Sequence, residues 1–357
     1  MEYKKSFIIV VSSIILGLLS VAIFNYLVDP ANMFKPHEYE SGIAEILISN
    51  KNVANISNYD ERLVQKYLVE KSNQKRDVLI FGSSRSMGIS GYLFPQQTFF
   101  NHFVSGASIE DHIAIYEMYK ERNWMPKKII IGLDPWLLNK NNQQTRWQSL
   151  EEEYNNANTR LRLDNTMRIS QYFMKRTYKK YLELISMPYL IAAYDAFNKP
   201  KKQVEYYSTT DSELAVGIKM MDGTMSYPEV YRNASIAEVK QKAIAYANAD
   251  PIYSLGSFEK LDEENILKFE RFINDLKKQN IEIIFFLPPY HPEVYNAVIN
   301  NGKYAMVLQA QSYFINYAQK AGIAIIGSYN PAECGLSDDD FYDGMHPKIH
   351  AINKLFN

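Results

Sequence analysis

A long apolar run near the N-terminus is the clearest pattern of hydrophobic positions in the chain. Residues 7–28 (FIIVVSSIILGLLSVAIFNYLV) carry no formal charge. At about 1.5 Å per residue, a helix over this run extends about 33 Å, enough to cross a bilayer core of about 30 Å. Lys4 and Lys5 precede the run, so the positive-inside rule predicts a cytoplasmic N-terminus. We therefore predict a single-pass anchor at residues 1–28 in the cell membrane, followed by an extracytoplasmic C-terminal domain.

A cleaved signal peptide is the alternative interpretation of this run. The run is long for a signal peptide, and Asp29-Pro30 follows it where a small-residue cleavage site would be expected. The pattern therefore favours an uncleaved anchor.

Beyond residue 75, short continuous apolar runs alternate with longer amphipathic stretches. The runs cover residues 77–81, 98–104, 128–133, 281–287 and 323–326. Such runs are typical of strands that are buried on both faces of a parallel sheet. Helical patterns separate them, most clearly at 109–120, 259–278 and 293–320. This order predicts an α/β domain at residues 76–357, with a mainly parallel sheet and helices on both faces.

Two segments do not follow this alternation. Residues 29–75 are polar and mixed, and we interpret them as a stalk or helical lead-in to the domain. Residues 141–250 are rich in Tyr, Asn, Lys and Glu and mostly helical in pattern, so we interpret them as an insertion that caps one edge of the sheet. Lys175, Arg176, Lys179 and Lys180 form a basic run in this insertion. The run is either a solvated helix face or a contact for anionic polymer or lipid headgroups.

Charge and cysteine content exclude several classes of protein. Among the 357 residues, Lys and Arg number 39 and Asp and Glu number 40, so the net charge is −1. The chain lacks the overall positive charge that is typical of nucleic-acid-binding proteins. The single cysteine excludes an intrachain disulfide and a cysteine metal cluster. Asp343, His346 and His350 have a spacing that would suit a metal, but no further ligand cluster accompanies them. We therefore predict no metal and no cofactor.

Polar residues follow the predicted strands at their carboxyl ends, where open α/β sheets bind their ligands. These candidate site residues are Ser83, Ser84, Arg85, Gly106, Asp134, Trp136 and His291. Near the C-terminus, Pro347 suits the first position of a final helix and places His346 at a loop–helix junction. Asp343 in the same loop can then orient the imidazole. A serine at a strand end completes a set of nucleophile, base and carboxylate.

Two of these motifs resemble a known superfamily. Gly82-Ser83-Ser84-Arg85 after the first strand and Asp343-x-x-His346 near the C-terminus are similar to the first and last motifs of the SGNH/GDSL hydrolases. The resemblance covers residues 77–357 apart from the insertion, and it implies an SGNH-like, flavodoxin-like fold. It implies that Ser84 is the nucleophile, His346 the general base and Asp343 its partner. It also aligns Gly106 with the second-motif glycine, whose N–H would join that of Ser84 in an oxyanion hole.

The third motif departs from the superfamily pattern. Gly-x-Asn-Asp would fall on Gly132-Leu133-Asp134-Pro135, so that Asp134 replaces the oxyanion-hole asparagine. An ionised carboxylate there would repel the developing oxyanion unless it points elsewhere or is protonated. Asn139 is an amide nearby that could substitute.

The anchor and the Gly-Ser-Ser sequence narrow the resemblance to a membrane-anchored subset. This subset includes the teichoic-acid D-alanyl transfer proteins and the proteins that O-acetylate surface polysaccharides. It implies a serine acyltransferase or esterase that acts on a cell-envelope polymer or acyl donor, beside a membrane-bound O-acyltransferase. The alternatives are a non-catalytic SGNH-like protein that binds polymer or scaffolds the acyltransferase, and a lipase or thioesterase.

Two further assignments remain open at the level of sequence. Ser83 could replace Ser84 as the nucleophile, and both serines could simply form a turn and a helix cap. His291 could line the pocket or serve as a structural loop histidine.

Overall fold

The computed structural model describes residues 2–30, 34, 38–163, 178, 180–198 and 206–356. The chain forms two compact units. The anchor unit comprises residues 1–38 and 164–205, and the sheet unit comprises residues 39–163 and 206–357. Of the basic run, Lys175, Arg176 and Lys179 lie outside the described residues.

The described residues form both strands and helices, numbered from the N-terminus. The strands are β1 (Asn52–Ala54), β2 (Val78–Phe81), β3 (Phe99–Asn101), β4 (Lys128–Gly132), β5 (Tyr207–Thr209), β6 (Ile218–Lys219), β7 (Met225–Ser226), β8 (Glu282–Leu287) and β9 (Ala324–Gly327). The helices are α1 (Glu2–Val28), α2 (Glu38–Ile48), α3 (Glu61–Lys71), α4 (Ile109–Glu121), α5 (Glu151–Leu161), α6 (Met187–Asn198), α7 (Glu229–Arg232), α8 (Ile236–Ala247), α9 (Glu263–Lys278), α10 (Pro292–Asn300), α11 (Ala305–Ala321) and α12 (Ile349–Phe356).

The centre of the sheet unit is a five-stranded parallel sheet in the order β3-β2-β4-β8-β9. Side chains of β2 alternate between two apolar clusters: Leu79 and Phe81 belong to the main core, and Val78 and Ile80 to a smaller one. Both faces of the strand are therefore buried, as its continuous apolar sequence predicts. The predicted α/β class with a parallel sheet is confirmed.

The pattern over residues 293–320 is one helix in the prediction and two in the structure. Asn301 adopts an extended conformation after α10, and its side chain accepts a hydrogen bond from the Lys303 amide at 3.0 Å. This cap ends one helix and starts the turn that leads into α11. Similarly, Pro347 does not start the last helix: it pairs with Phe341 in a β-bridge, and α12 begins at Ile349.

Residues 39–75 are part of the sheet unit and do not form a separate stalk. Ile43 and Leu47 of α2 and Val64 and Leu68 of α3 are buried in the main core. β1 joins β5, β6 and β7 in a small antiparallel sheet of order β5-β1-β6-β7. These strands have two or three residues, too few for a periodic pattern to be recognised in the sequence.

The segment interpreted as one insertion at 141–250 is divided between the two units. Leu150, Tyr154 and Ala157 pack into the main core, and residues 206–250 also belong to the sheet unit. Residues 164–205 belong to the anchor unit. The composition of residues 141–250 did not reveal this division, because the segment is mostly polar and has few buried apolar positions.

The anchor unit contains a helix that is long and apolar enough to span a membrane. The span covers Tyr3–Val28, and none of its most apolar window is buried inside the protein. The predicted apolar helix is therefore confirmed, and its orientation across the membrane stays a prediction.

We expect Gly132→Ala to destabilise the sheet unit by about 1–3 kcal/mol through overpacking. A Cβ at Gly132 would overlap Ser86 Oγ and lie 3.3 Å from Gly82 Cα, in the loop that carries Ser84. The measurement is thermal unfolding of the full-length protein in detergent, with Gly302→Ala as the control, because no atom lies within 4 Å of a Cβ there. Equal unfolding midpoints for the two variants would contradict the prediction.

Candidate active site

Ser84 is presented by a tight turn at the carboxyl end of β2. The strand ends at Phe81, and Ser83 caps a short 3₁₀ helix by accepting a hydrogen bond from the Arg85 amide at 3.1 Å. Ser84 is the first residue of this helix and is half-buried. The side chain of Ser83 is thus engaged in shaping the turn, and Ser84 is the serine whose side chain reaches His346.

The loop before α12 holds His346 and Asp343 in a fixed relation. The Asp343 carboxylate accepts hydrogen bonds from the backbone amides of Met345 at 2.8 Å and His346 at 3.0 Å. Both of its oxygens lie 2.9 Å from His346 Nδ1. The other ring nitrogen, Nε2, lies 2.9 Å from Ser84 Oγ. A continuous chain of hydrogen bonds therefore connects the serine hydroxyl to a buried carboxylate.

The charge on Asp343 determines the tautomer of the histidine. Burial disfavours the ionised carboxylate, but the His346 ring and the hydrogen bonds from the ring and two amides outweigh this effect, so the pKa of Asp343 is lowered. An ionised carboxylate can only accept hydrogen bonds, so Nδ1 of the neutral ring carries the hydrogen. Nε2 is then free to accept the proton of the Ser84 hydroxyl.

Arg85 joins the serine turn to three other segments. Its guanidinium donates to Asp134 Oδ1 at 2.8 Å, to the Pro288 carbonyl at 2.5 Å and to the Met345 carbonyl at 3.3 Å. It also stacks 3.8 Å from the centre of the Tyr290 ring. Because Pro288 directly follows β8 and Met345 precedes His346, one buried cation fixes the serine turn relative to the histidine loop.

Asp134 points at Arg85. Its side chain is almost fully buried in this ion pair, and it does not line the cavity at Ser84. Burial raises the pKa of Asp134 above its ordinary value, although the Arg85 guanidinium favours the ionised form. The repulsion expected for a carboxylate at the third motif is therefore offset by the adjacent cation.

A cavity of about 610 Å³ opens at Ser84 and His346. Several of the described residues that line it are aromatic, namely Tyr59, Phe103, Trp136, Tyr227, Tyr231, Tyr246 and Tyr253. The Tyr227 ring lies 6.0 Å from the His346 ring and 4.4 Å from the Tyr342 ring, measured between centroids. Residues 206–250 thus contribute a tyrosine-rich cover above the histidine.

The remaining candidates from the sequence have different positions. Trp136 lines the cavity and donates from Nε1 to the Ala107 carbonyl at 3.0 Å. Gly106 follows the cavity residue Ser105 and has a φ of +56°, a conformation that favours glycine. His291 is outside the cavity lining: it is fully buried, caps α10 through Nδ1, and burial lowers its pKa. His291 is therefore a structural histidine in the described fold.

Sequence reasoning missed Arg146 and the tyrosines of the cavity wall. Arg146 lies on the wall, where it donates to Gln144 and to the Tyr253 hydroxyl. Arg146, Tyr227, Tyr231 and Tyr246 come from the segment interpreted as an insertion, in which no catalytic motif was recognised. The abundance of tyrosine, 27 residues in all, was the only sequence signal, and it also suits an ordinary core.

The fold and site together define an α/β protein with a Ser-His-Asp cluster at the carboxyl edge of a parallel sheet. The chain belongs to the family described as "Protein of unknown function (DUF1574)", whose family model matches residues 41–351. That range includes Ser84, Asp343 and His346 and excludes α1. The comparison with curated proteins gave no match.

We expect Arg85→Met to lower the free energy of unfolding by about 3–5 kcal/mol, because it leaves the buried Asp134 carboxylate unpaired. The double variant Arg85→Met, Asp134→Leu removes both charges and should recover most of this loss. Thermal unfolding of the full-length proteins in detergent provides the comparison. The expectation fails if the double variant is less stable than Arg85→Met alone.

Proposed function

We propose that the protein is a membrane-anchored, extracytoplasmic serine acyltransferase or esterase that acts on O-acetyl or D-alanyl esters of a cell-envelope polymer. The observation that carries the proposal is the hydrogen-bonded chain from Ser84 through His346 to Asp343, which opens on a cavity of about 610 Å³ lined in part by aromatic residues. The resemblance of the serine and histidine motifs to SGNH/GDSL hydrolases supports the same chemistry.

In this proposal, Ser84 Oγ attacks the acyl carbonyl carbon while His346 Nε2 takes the hydroxyl proton. The tetrahedral intermediate breaks its bond to the leaving oxygen, which receives the proton from His346. An acyl-serine ester remains. A polymer hydroxyl or water then attacks this ester and gives its proton to His346, which returns it to Ser84. Asp343 stabilises the imidazolium in both steps.

The N–H groups of Ser84 and Gly106 are the proposed donors to the oxyanion. Ser84 begins a short helix, and Gly106 lies in the loop after β3, so that both amides come from carboxyl ends of neighbouring strands. Such donors stabilise charge that develops on the carbonyl oxygen in the transition state.

The cavity supports a polymeric acceptor. Tyrosine and tryptophan combine flat apolar faces with hydrogen-bonding groups, which suits a sugar or polyol unit with both CH and hydroxyl groups. The apolar helix α1 supports a location at the cell envelope. By its resemblance to the membrane-anchored subset, the proposed partner is a membrane-bound O-acyltransferase that supplies the acyl group.

Trapping of the acyl-enzyme tests this function directly. Full-length protein in detergent is mixed with an aryl acetate, quenched with acid and digested, and the peptides are examined by mass spectrometry. We expect release of the phenol and one acetyl group on the peptide that contains Ser84. Phenol release with acetylation elsewhere, or neither release nor acetylation, would contradict the proposal.

A non-catalytic role is the second candidate, and one observation favours it. The third motif lies at the end of β4, and among the described residues it offers no side-chain amide donor to the cavity. Asp134 is paired with Arg85, and Asn139 donates to the carbonyls of Ser254 and Gly256. In this role the cavity would bind polymer or help to scaffold a membrane O-acyltransferase. Cells that carry Ser84→Ala would then acylate their polymer at the normal level, whereas the enzymatic proposal predicts loss of acylation.

A further inference from the structure

Helix α6 of the anchor unit packs along the C-terminal part of α1. Tyr189 and Ala193 are buried, and the Tyr189 hydroxyl donates to Asp29 Oδ1 at 2.7 Å. Farther along α6, the Phe197 ring lies 5.8 Å from the Phe24 ring. Asp29 lies just beyond the apolar span and Phe24 lies within it. Helix α6 therefore starts near the end of the span and runs back alongside its last turns.

The other side of α6 is apolar, and no described residue covers it. Met187, Ile191 and Tyr194 follow the spacing of one helix face and are 57 to 64% exposed. Phe197 lies at the edge of this face and is 69% exposed although its ring also meets Phe24. Asp195 is the one charged residue in the sequence of α6. A helix with one apolar face packed and another apolar face open to the surroundings is typical of a lipid environment.

The neighbouring surface of α1 has the same character. Ile23 and Leu27 are more than half exposed at the depth of the Phe24–Phe197 contact. Asn25, the neighbour of Phe24 in α1, is fully buried and donates to the Leu184 carbonyl at 2.9 Å. Its amide is thus satisfied within the protein, as expected for a polar group of a helix that spans a membrane.

We propose that α6 is a second membrane-embedded element, which enters the leaflet at the C-terminal end of α1 and presents Met187, Ile191, Tyr194 and Phe197 to lipid acyl chains. The occupant of this face is lipid because the face is continuous with the exposed surface of the spanning helix. Tyr189 and Asp29 mark the boundary with water, where tyrosine hydroxyls are commonly found. The proposal is independent of the chemistry at Ser84.

Site-directed fluorescence in liposomes tests the proposal. Full-length Cys334→Ser protein receives one cysteine at Ile191 or at Tyr194, carries an environment-sensitive dye there, and is reconstituted in phosphatidylcholine–phosphatidylglycerol vesicles. Quenchers are doxyl groups on the acyl chains and iodide in the buffer. Ile236→Cys is the matched control, because Ile236 is also an exposed apolar residue but begins α8 in the sheet unit.

We expect severalfold stronger quenching by doxyl lipid at positions 191 and 194 than at 236, and severalfold weaker quenching by iodide. Iodide quenching equal to that at 236 would overturn the proposal by showing that the face is in water. Protection from both quenchers would also overturn it, because a second protein molecule would then cover the face. Ile15→Cys in α1, whose native side chain is exposed, provides the reference for lipid-facing dye.

Discussion

Ser84→Ala will reduce the turnover of an aryl ester by about 10⁴- to 10⁶-fold, the range seen when a triad nucleophile is removed. The hydroxyl that His346 Nε2 contacts at 2.9 Å is lost, and the remaining groups can only bind and polarise the ester. The fold should persist, because Ser84 is half-buried and the adjacent cap is made by Ser83. The measurement is the steady-state rate of phenol release by the full-length protein.

Ser86→Ala is the matched control for this variant. Ser86 belongs to the same short helix, but its hydroxyl is buried against Gly82 and Gly132 and has no hydrogen-bond partner in the described structure. We expect its turnover to stay within a few-fold of the parent. Equal rates for Ser84→Ala and the parent would show that the ester reacts elsewhere.

Asp343→Asn will lower kcat/KM by about 10⁴-fold, as in other triads in which the carboxylate becomes an amide. The amide can donate to His346 Nδ1, which favours the tautomer that places the hydrogen on Nε2. That nitrogen could no longer take the serine proton. Ester hydrolysis over a range of substrate concentrations checks the prediction, with Asp339→Asn as the control, because Asp339 is an exposed acid that pairs with Lys348.

The pH dependence of stability provides a second measurement on this carboxylate. Because the pKa of Asp343 is lowered in the folded protein, its contribution to stability is complete above the ordinary carboxyl pKa. That contribution is lost as the pH falls through the lowered value. Acid unfolding of Asp343→Asn should therefore depend less on pH in this range. An unchanged kcat/KM and an unchanged acid profile would exclude the assigned role of Asp343.

The central sheet was predictable from the sequence because its strands are buried on both faces. Ile129, Ile130 and Ile131 of β4 are fully buried, so the strand appears in the sequence as an unbroken apolar run. The loops at the strand ends were predictable for a related reason, since polar residues that interrupt such runs mark the carboxyl edge. The prediction thus identified Ser84, Asp343 and His346, which the structure brings together.

The sequence predicted a helical lead-in and a helical cap, but it did not predict which of their residues reach the core and the site. Tyr227 lies in the connection between β7 and α7, and Tyr246 lies near the end of α8. The ion pair between Arg85 and Asp134 joins residues 49 positions apart, and only the alignment of β2 with β4 reveals it. These contacts depend on tertiary structure, and local patterns carry no information about them.

The most direct test of the central claim is the reaction of full-length protein in detergent with a fluorophosphonate, followed by intact-mass spectrometry and peptide mapping. Reaction requires a serine that is activated by its base, so the account predicts one adduct, located on Ser84 and absent from Ser84→Ala. No adduct on the folded parent protein, or an adduct that persists in Ser84→Ala, would contradict the claim that Ser84 is an activated nucleophile.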